Sequence, residues 1–239
     1  IINWEELSAA IAEENSKRYI AMTCKTDDKS AEQAHINFIE TVEPEVKKRC
    51  YSLSKALSSH PHRDGLPAKR YEVFTRDAAL EVELFQPENV PLETETAKIG
   101  QQYQKLIGGL TVTFDGEERT LVQMGIFLEE PDRTLRQKAW ELTAKRRLEE
   151  AEKIDNKLDK LTKRRNQMSS NAGFPNYRDY AHRRKGRFDY TPEDCLAFHD
   201  AIEQEMVPLL KELHNERRAA LGIDSVRPWD TANDPHGRS

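Results

Sequence analysis

Pro131-Asp132-Arg133-Thr134-Leu135-Arg136 opens a stretch that runs without another proline or any glycine to Asn171-Ala172-Gly173. Proline stops whatever precedes it, Asp132 carries the short carboxylate that caps a first turn, and Gly173 stands where helices commonly end. Residues 131–172 therefore read as one uninterrupted helix. Within it Leu148, Ala151, Leu158, Leu161, Met168 and Ala172 fall three, four or seven residues apart. That spacing gives one narrow apolar seam for a partner helix and leaves the other sides charged. At about 1.5 Å per residue the helix would span roughly 60 Å, longer than one compact core needs and long enough for two lobes or the wall of a channel.

The same helical spacing recurs on both sides. Upstream, Trp4, Leu7 and Ile11 share a face of a first helix that Asn3 can cap. Ser30 opens a second through Ala34, Phe38 and Ile39, and Pro44 kinks or splits it before Val46, Cys50, Leu53 and Leu57 continue. Residues 67–86 place Tyr71, Phe74 and Ala78 inward, and residues 92–106 form another helix ending at Gly108-Gly109. Leu110, Val112 and Phe114 then alternate with threonines ahead of Asp115-Gly116, the dipeptide suited to a two-residue hairpin turn. Residues 121–128 return to helix before Pro131.

Downstream, residues 175–187 are short, aromatic and basic. Thr191-Pro192-Glu193-Asp194 is a strong helix start. The last helix has Leu196, His199, Ile202, Met206, Leu209 or Leu210, Leu213 and Leu221 as its inner face, a bend at Pro208 and an end at Gly222. The chain is thus expected to be all-α, with at most one small β-hairpin near residues 110–121. It divides into a helical region 1–130, a long-helix spine with its following helices 131–222, and an extended linker 223–239.

Composition agrees with exposed helices more than with a thick core: 37% of residues are hydrophobic and 33% charged. The 37 Lys and Arg against 42 Asp and Glu give a net charge of −5, so no overall basic field recommends nucleic acid as a partner. Residues 133–187 carry 17 basic and 7 acidic side chains, a local excess that could meet an acidic surface or pair with acidic segments of the same chain. Cys24, Cys50 and Cys195 form no Cys-x-x-Cys and no paired framework, so reduced thiols are expected. No apolar run approaches the roughly 20 residues of a membrane span, and residues 1–15 lack a signal-like core. A cytoplasmic protein is the expectation.

Motifs that carry chemistry are missing from the 239 residues. There is no His-Glu-x-x-His, no glycine-rich phosphate loop and no Gly-x-Ser-x-Gly elbow. His60 and His62 flank Pro61 without a nearby third ligand; His199 with Glu203, and His214 with Glu216, lack a second histidine four residues away. No catalytic, cofactor-binding or metal-binding residue is nominated.

A resemblance adds what the motifs do not. Asn171-Ala172-Gly173-Phe174-Pro175-Asn176-Tyr177-Arg178-Asp179-Tyr180, then Phe188-Asp189-Tyr190-Thr191-Pro192-Glu193-Asp194, then Pro208 and Arg227-Pro228-Trp229-Asp230, form one ordered series. Ahead of them stand Glu88-Asn89-Val90-Pro91-Leu92, Phe114-Asp115-Gly116-Glu117 and Pro131 to Arg136. Together these strings resemble the oligoendopeptidase F family of thimet-oligopeptidase-like zinc metallopeptidases, over roughly Tyr71 to Gly237.

The resemblance implies a mostly helical, two-lobed peptidase that cuts short peptides in a deep channel, with this chain as its N-terminal part and residues 223–239 leading towards an absent catalytic domain. It also implies that the His-Glu-x-x-His helix, and with it the zinc of the full-length parent, come after the Arg227 to Asp230 segment. No zinc ligand or general base of the family can be carried onto a position here, so neither bound zinc nor cleavage is expected of the 239-residue chain alone. The competing expectation is a free-standing helical interaction module that binds an acidic partner through the basic face of residues 133–187.

Overall fold

In the computed structural model, which describes residues 1–237, helices occupy most of the chain. The first half supplies α1 (Ile2–Cys24), α2 (Lys29–Asn37), α3 (Glu43–Ser58), α4 (Ala68–Leu84) and α5 (Asn89–Gly108). After them come strands β1 (Thr111–Phe114) and β2 (Glu117–Thr120), then α6 (Arg133–Leu148), α7 (Ala151–Asn171) and α8 (Tyr177–Arg184), and finally α9 (Pro192–Ala201) and α10 (Val207–Leu221). The strands pair antiparallel with Phe114 opposite Glu117, the one sheet among the described residues. Asp115 and Gly116 take φ of 53° and 82°, both in the region that a tight hairpin turn demands and that this dipeptide tolerates. Residues 123–128, read as helix, form a 3-10 turn. Contacts group the chain into two units interleaved in sequence, Ile1–Lys105 with Asn156–Asp189, and Leu106–Asp155 with Tyr190–Ser239.

The expected single helix 131–172 is two helices. Its start is as read, with the Asp132 carboxylate accepting from the Thr134 amide. At its middle the Glu150 amide turns back to the Arg147 carbonyl, a tighter i to i−3 bond, and the Glu150 carbonyl begins α7 by accepting from Ile154. No glycine or proline marks this place. Glu150 itself is buried, bracketed by Arg146 at 3.1 Å and Lys153 at 2.7 Å, so its ion pairs hold the turn. The apolar seam is correspondingly shorter than its spacing predicts. Leu148 is 72% exposed and Leu158 56% exposed, and only the C-terminal end of α7 enters a core, through Met168.

Prolines are accommodated by a repeated device. Ahead of Pro44 and of Pro208 the helix widens into a single π turn, Phe38–Val42 and Ile202–Met206, in which the Glu43 amide reaches Phe38 and the Val207 amide reaches Ile202. Shifting the ladder by one residue avoids the clash a proline ring makes with the carbonyl four residues back. The helical stretch that follows Thr191 departs from expectation in another way. Its start is formed as read, with Asp194 completing a capping box on Thr191, but its expected inner face is exposed: Leu196, Ile202, Met206, Leu209, Leu210 and Leu213 all stand open, as does Phe198 beside them. Their spacing marks a face, while no element of the described chain is placed to cover it.

In the first unit Leu80, Leu84, Met168 and Tyr180 form the core, with Leu92, Phe174 and Phe188 packed around them. The turn that brings α8 onto α7 is fixed by its sequence. Gly173 adopts φ 77°, and the Phe174 amide reaches back to the Ser169 carbonyl while Gly173 reaches Ser170, the paired bonds that close a helix end. Asn176 then caps α8 by accepting from the Asp179 amide. Asn89 ties this corner to α5: its amide donates to the Met168 carbonyl at 3.0 Å and its oxygen accepts from Asn171 at 2.8 Å.

In the second unit Val112, Phe114, Met124 and Ala139 form the core. Beside it the segment read as an extended linker, 223–239, is anchored as far as it is described, its last two residues lying outside the described range. Asp230 is fully buried. Arg133 grips its carboxylate with two hydrogen bonds of 2.9 Å, Arg136 adds one of 3.2 Å and the Arg227 amide one of 3.0 Å. Arg136, itself buried, also donates to the carbonyls of Trp229, Glu130 and Pro131. Trp229 lies against Trp140 with ring centroids 5.4 Å apart. Burial pushes the Asp230 carboxyl up, but the hydrogen bonds from Arg133, from the Arg227 backbone and from Arg136 outweigh it and hold the group below the usual carboxylate range.

Two consequences can be measured. Phe114→Ala, which empties a fully enclosed site, is expected to cost about 3 to 5 kcal/mol by urea unfolding, whereas Leu158→Ala on an open face should change stability by less than about 0.5 kcal/mol; equal losses would place Leu158 in a core. Because the folded Asp230 pKa is depressed, its contribution is present above the unfolded value of about 3.9 and is lost as pH falls through the lower folded value. Tryptophan emission should therefore shift in acid below about pH 4. In Asp230→Asn, which leaves two arginines facing a neutral group and should cost about 3 to 5 kcal/mol, the shift should already be present at neutral pH. Unchanged emission and stability in that variant would show that the Asp230 contacts do not hold the segment.

Candidate functional site

Four elements of the first unit converge on a cavity of about 490 Å³, a size that suits a small ligand. α4 contributes Arg76, Leu80 and Leu84 from one face, spaced four residues apart, with Asp77 and Glu81 beside them. The chain then turns through Phe85 and Gln86 into α5, whose first residues Asn89 and Val90 and next-turn Glu93 form the opposite wall. α8 closes the floor with Tyr180 and, one turn on, Arg184, and Lys185 and Gly186 follow at the helix end. Lys47 reaches in from α3.

The floor is apolar and the rim charged. Leu80, Leu84 and Tyr180 are core side chains, and burial pushes the Tyr180 hydroxyl above the ordinary tyrosine range. Glu93 is held between Lys47 at 2.7 Å and Arg184 at 2.8 Å, and Glu81 accepts from the Ser54 hydroxyl at 2.6 Å. Arg76 differs from these. Its guanidinium stacks 4.1 Å over the Phe188 ring, its nearest carboxylate oxygen, on Asp77, is 3.8 Å from Nε, and Nε is enclosed without a hydrogen-bond partner.

No metal centre accompanies this cavity. Among the described residues no three His, Cys, Asp or Glu side chains come together in a way that could hold a metal ion, so the residues present do not fit a zinc site. His60 and His62 lie with ring centroids 5.6 Å apart in an exposed turn, and His199 and His214 are exposed on the helices that follow Thr191. The three cysteines are free. Among the described residues no helix is long and apolar enough to cross a membrane.

Sequence reading noted residues 175–187 as aromatic and basic but did not join them to α4 and α5, because the partners lie about a hundred positions away, as Arg183 and Glu83 do.

The model for the peptidase M3 N-terminal domain matches residues 1–85, and that for peptidase family M3 matches residues 126–234. Among solved structures, PZ peptidase A with inhibitor 2 is 32% identical over 90% of this chain with a TM-score of 0.86. A structure assigned as oligoendopeptidase F from Bacillus anthracis str. Ames is 26% identical over 90% with a TM-score of 0.85, and a further structure assigned to oligoendopeptidase F is 26% identical over 95% with a TM-score of 0.85. The chain spans 38%, 40% and 42% of the length of these three. No curated protein matches it. Two models of one family, in order along the chain and covering most of it, together with the fold of these peptidases, show that the chain belongs to peptidase family M3.

Proposed function

We propose that this chain is the N-terminal helical portion of a zinc metallo-oligopeptidase acting on short peptides, and that its helices contribute to the wall of the substrate channel. The observation that carries this reading is the match of both M3 models, N-terminal domain first, over residues 1–85 and 126–234. Metal-assisted hydrolysis needs typically three protein ligands, an open position for water and a base within reach of that water. No such constellation is found among the described residues, so the chemistry belongs to residues other than these. The exposed apolar face of residues 192–221 fits a polypeptide whose helices pack against more protein.

The interaction-module alternative has less support. Part of the basic face it relies on is engaged within the chain: Arg164 with Glu95, Arg183 with Glu83, Arg184 with Glu93, and Arg146 and Lys153 with Glu150. Each such internal pair leaves less charge for an acidic partner. Free cysteines accord with a reducing, cytoplasmic setting, and we propose neither nucleic acid nor membrane as a partner.

The test compares the 239-residue chain with a protein in which the same sequence is carried at the full length of its M3 relatives. The longer protein should bind zinc stoichiometrically and cleave an internally quenched peptide of about ten residues in a chelator-sensitive manner, and the 239-residue chain should do neither. Chelator-sensitive cleavage by the shorter chain would contradict the reading, and an inert longer protein would reduce the likeness to architecture alone.

A further inference from the structure

The cavity between α4, α5 and α8 has an unfilled chemical demand. Its seven charged lining residues are Lys47, Arg76, Arg184 and Lys185 against Asp77, Glu81 and Glu93, which leaves one net positive charge beside an apolar floor. Lys47 and Arg184 share Glu93, so that cluster itself carries the one net positive charge, and Glu81 accepts from the Ser54 hydroxyl. Of the other two cations, Arg76 has only Asp77 near it, 3.8 Å from Nε, and Lys185 makes no ion pair among the described residues. Arg76 is held in place by its stack on Phe188 and makes no hydrogen bond to the groups around it, so a fixed planar donor is presented at the mouth of an apolar pocket. A guanidinium so placed matches a carboxylate, and the Leu80, Leu84, Phe85 and Val90 walls match a branched or aromatic side chain next to it.

We propose that this cavity binds a small apolar carboxylate, an apolar side chain one carbon from a carboxylate, as presented by the last residue of a short peptide or by an N-acylated amino acid. The side chain enters over Tyr180 between α4 and α5, and the carboxylate meets Arg76 and Lys185. The cavity's occupancy is read by binding alone, without catalysis, so the proposal stands or falls independently of the function proposed above.

Titration calorimetry and amide chemical shifts on the 239-residue chain test it directly, with acetyl-alanyl-leucine, the same peptide as its C-terminal amide, and acetyl-leucine as probes. The acid should bind at least about tenfold more tightly than the amide, the difference expected of a charge-assisted hydrogen bond. Shifts should concentrate at residues 76–93 and 180–186. Arg76→Gln and Lys185→Gln should each weaken the acid about fivefold or more and narrow its advantage over the amide, with the far-ultraviolet spectrum and unfolding midpoint unchanged. Tighter binding of the dipeptide than of acetyl-leucine would assign the site to peptide C-termini, and equal binding to the single acylated residue; either supports the carboxylate pocket. No saturable binding up to about 10 mM, equal affinity for acid and amide, or a folded Arg76→Gln that binds as the native chain does, would overturn it.

Discussion

A buried carboxylate with its charge fully matched holds the second unit in register. Asp230 has no access to water and accepts hydrogen bonds from two arginines of α6 and from a backbone amide. Those arginines are 97 and 94 residues away in sequence, so the interaction ties together two distant parts of the chain. A buried ion would be costly if any partner were missing, and that makes the contact selective: the segment seats in the one position where every oxygen is met. A chain with one-third of its residues charged uses such tethers where an apolar-rich chain would use a thicker core. The first unit has a neutral counterpart in Asn89, whose amide donates to the backbone of α7 and whose oxygen accepts from Asn171.

The strings that carry the family likeness are these tethers and turns. Pro131 to Arg136 and Arg227 to Asp230 lie far apart in sequence and meet as the two halves of one ion-pair cluster. Asn171 to Tyr180 is a helix end, a turn through Gly173, a cap at Asn176 and a core tyrosine. Phe114 to Glu117 is the hairpin turn. None of these residues needs a chemical role to explain its identity. In this chain these strings are the means of holding helices at fixed places.

The sequence was most readable where structure is local. Asp115-Gly116 implies positive φ at both positions, and the Thr191 to Asp194 string implies a helix start; both are formed. It was least readable where a distant partner decides. The turn at Glu149 and Glu150 falls inside strong helix-forming sequence, because a buried glutamate held by Arg146 and Lys153 leaves no glycine or proline as a sign. Periodicity located the faces bearing Leu158 and Leu213 but not their exposure, since spacing reports which residues share a side and not what stands opposite. Asp230 read as part of a linker because its two arginines lie nearly a hundred positions upstream, and the cavity went unread because α8 meets α4 across a similar gap.

Amide hydrogen exchange on the 239-residue chain is the most direct measurement of this organisation, in which two small cores and their polar tethers carry the stability while a long helical face stays uncovered. Slow exchange is expected in α6 and in the part of α7 around Met168, with measurable protection persisting at Asp230, which lies in a single 3-10 turn, Pro228–Asp230. Fast exchange is expected through α9 and the early turns of α10, where no side chain is buried. Uniform protection that extended through residues 192–221, or an Asp230 amide that exchanged as quickly as an open loop, would contradict the account.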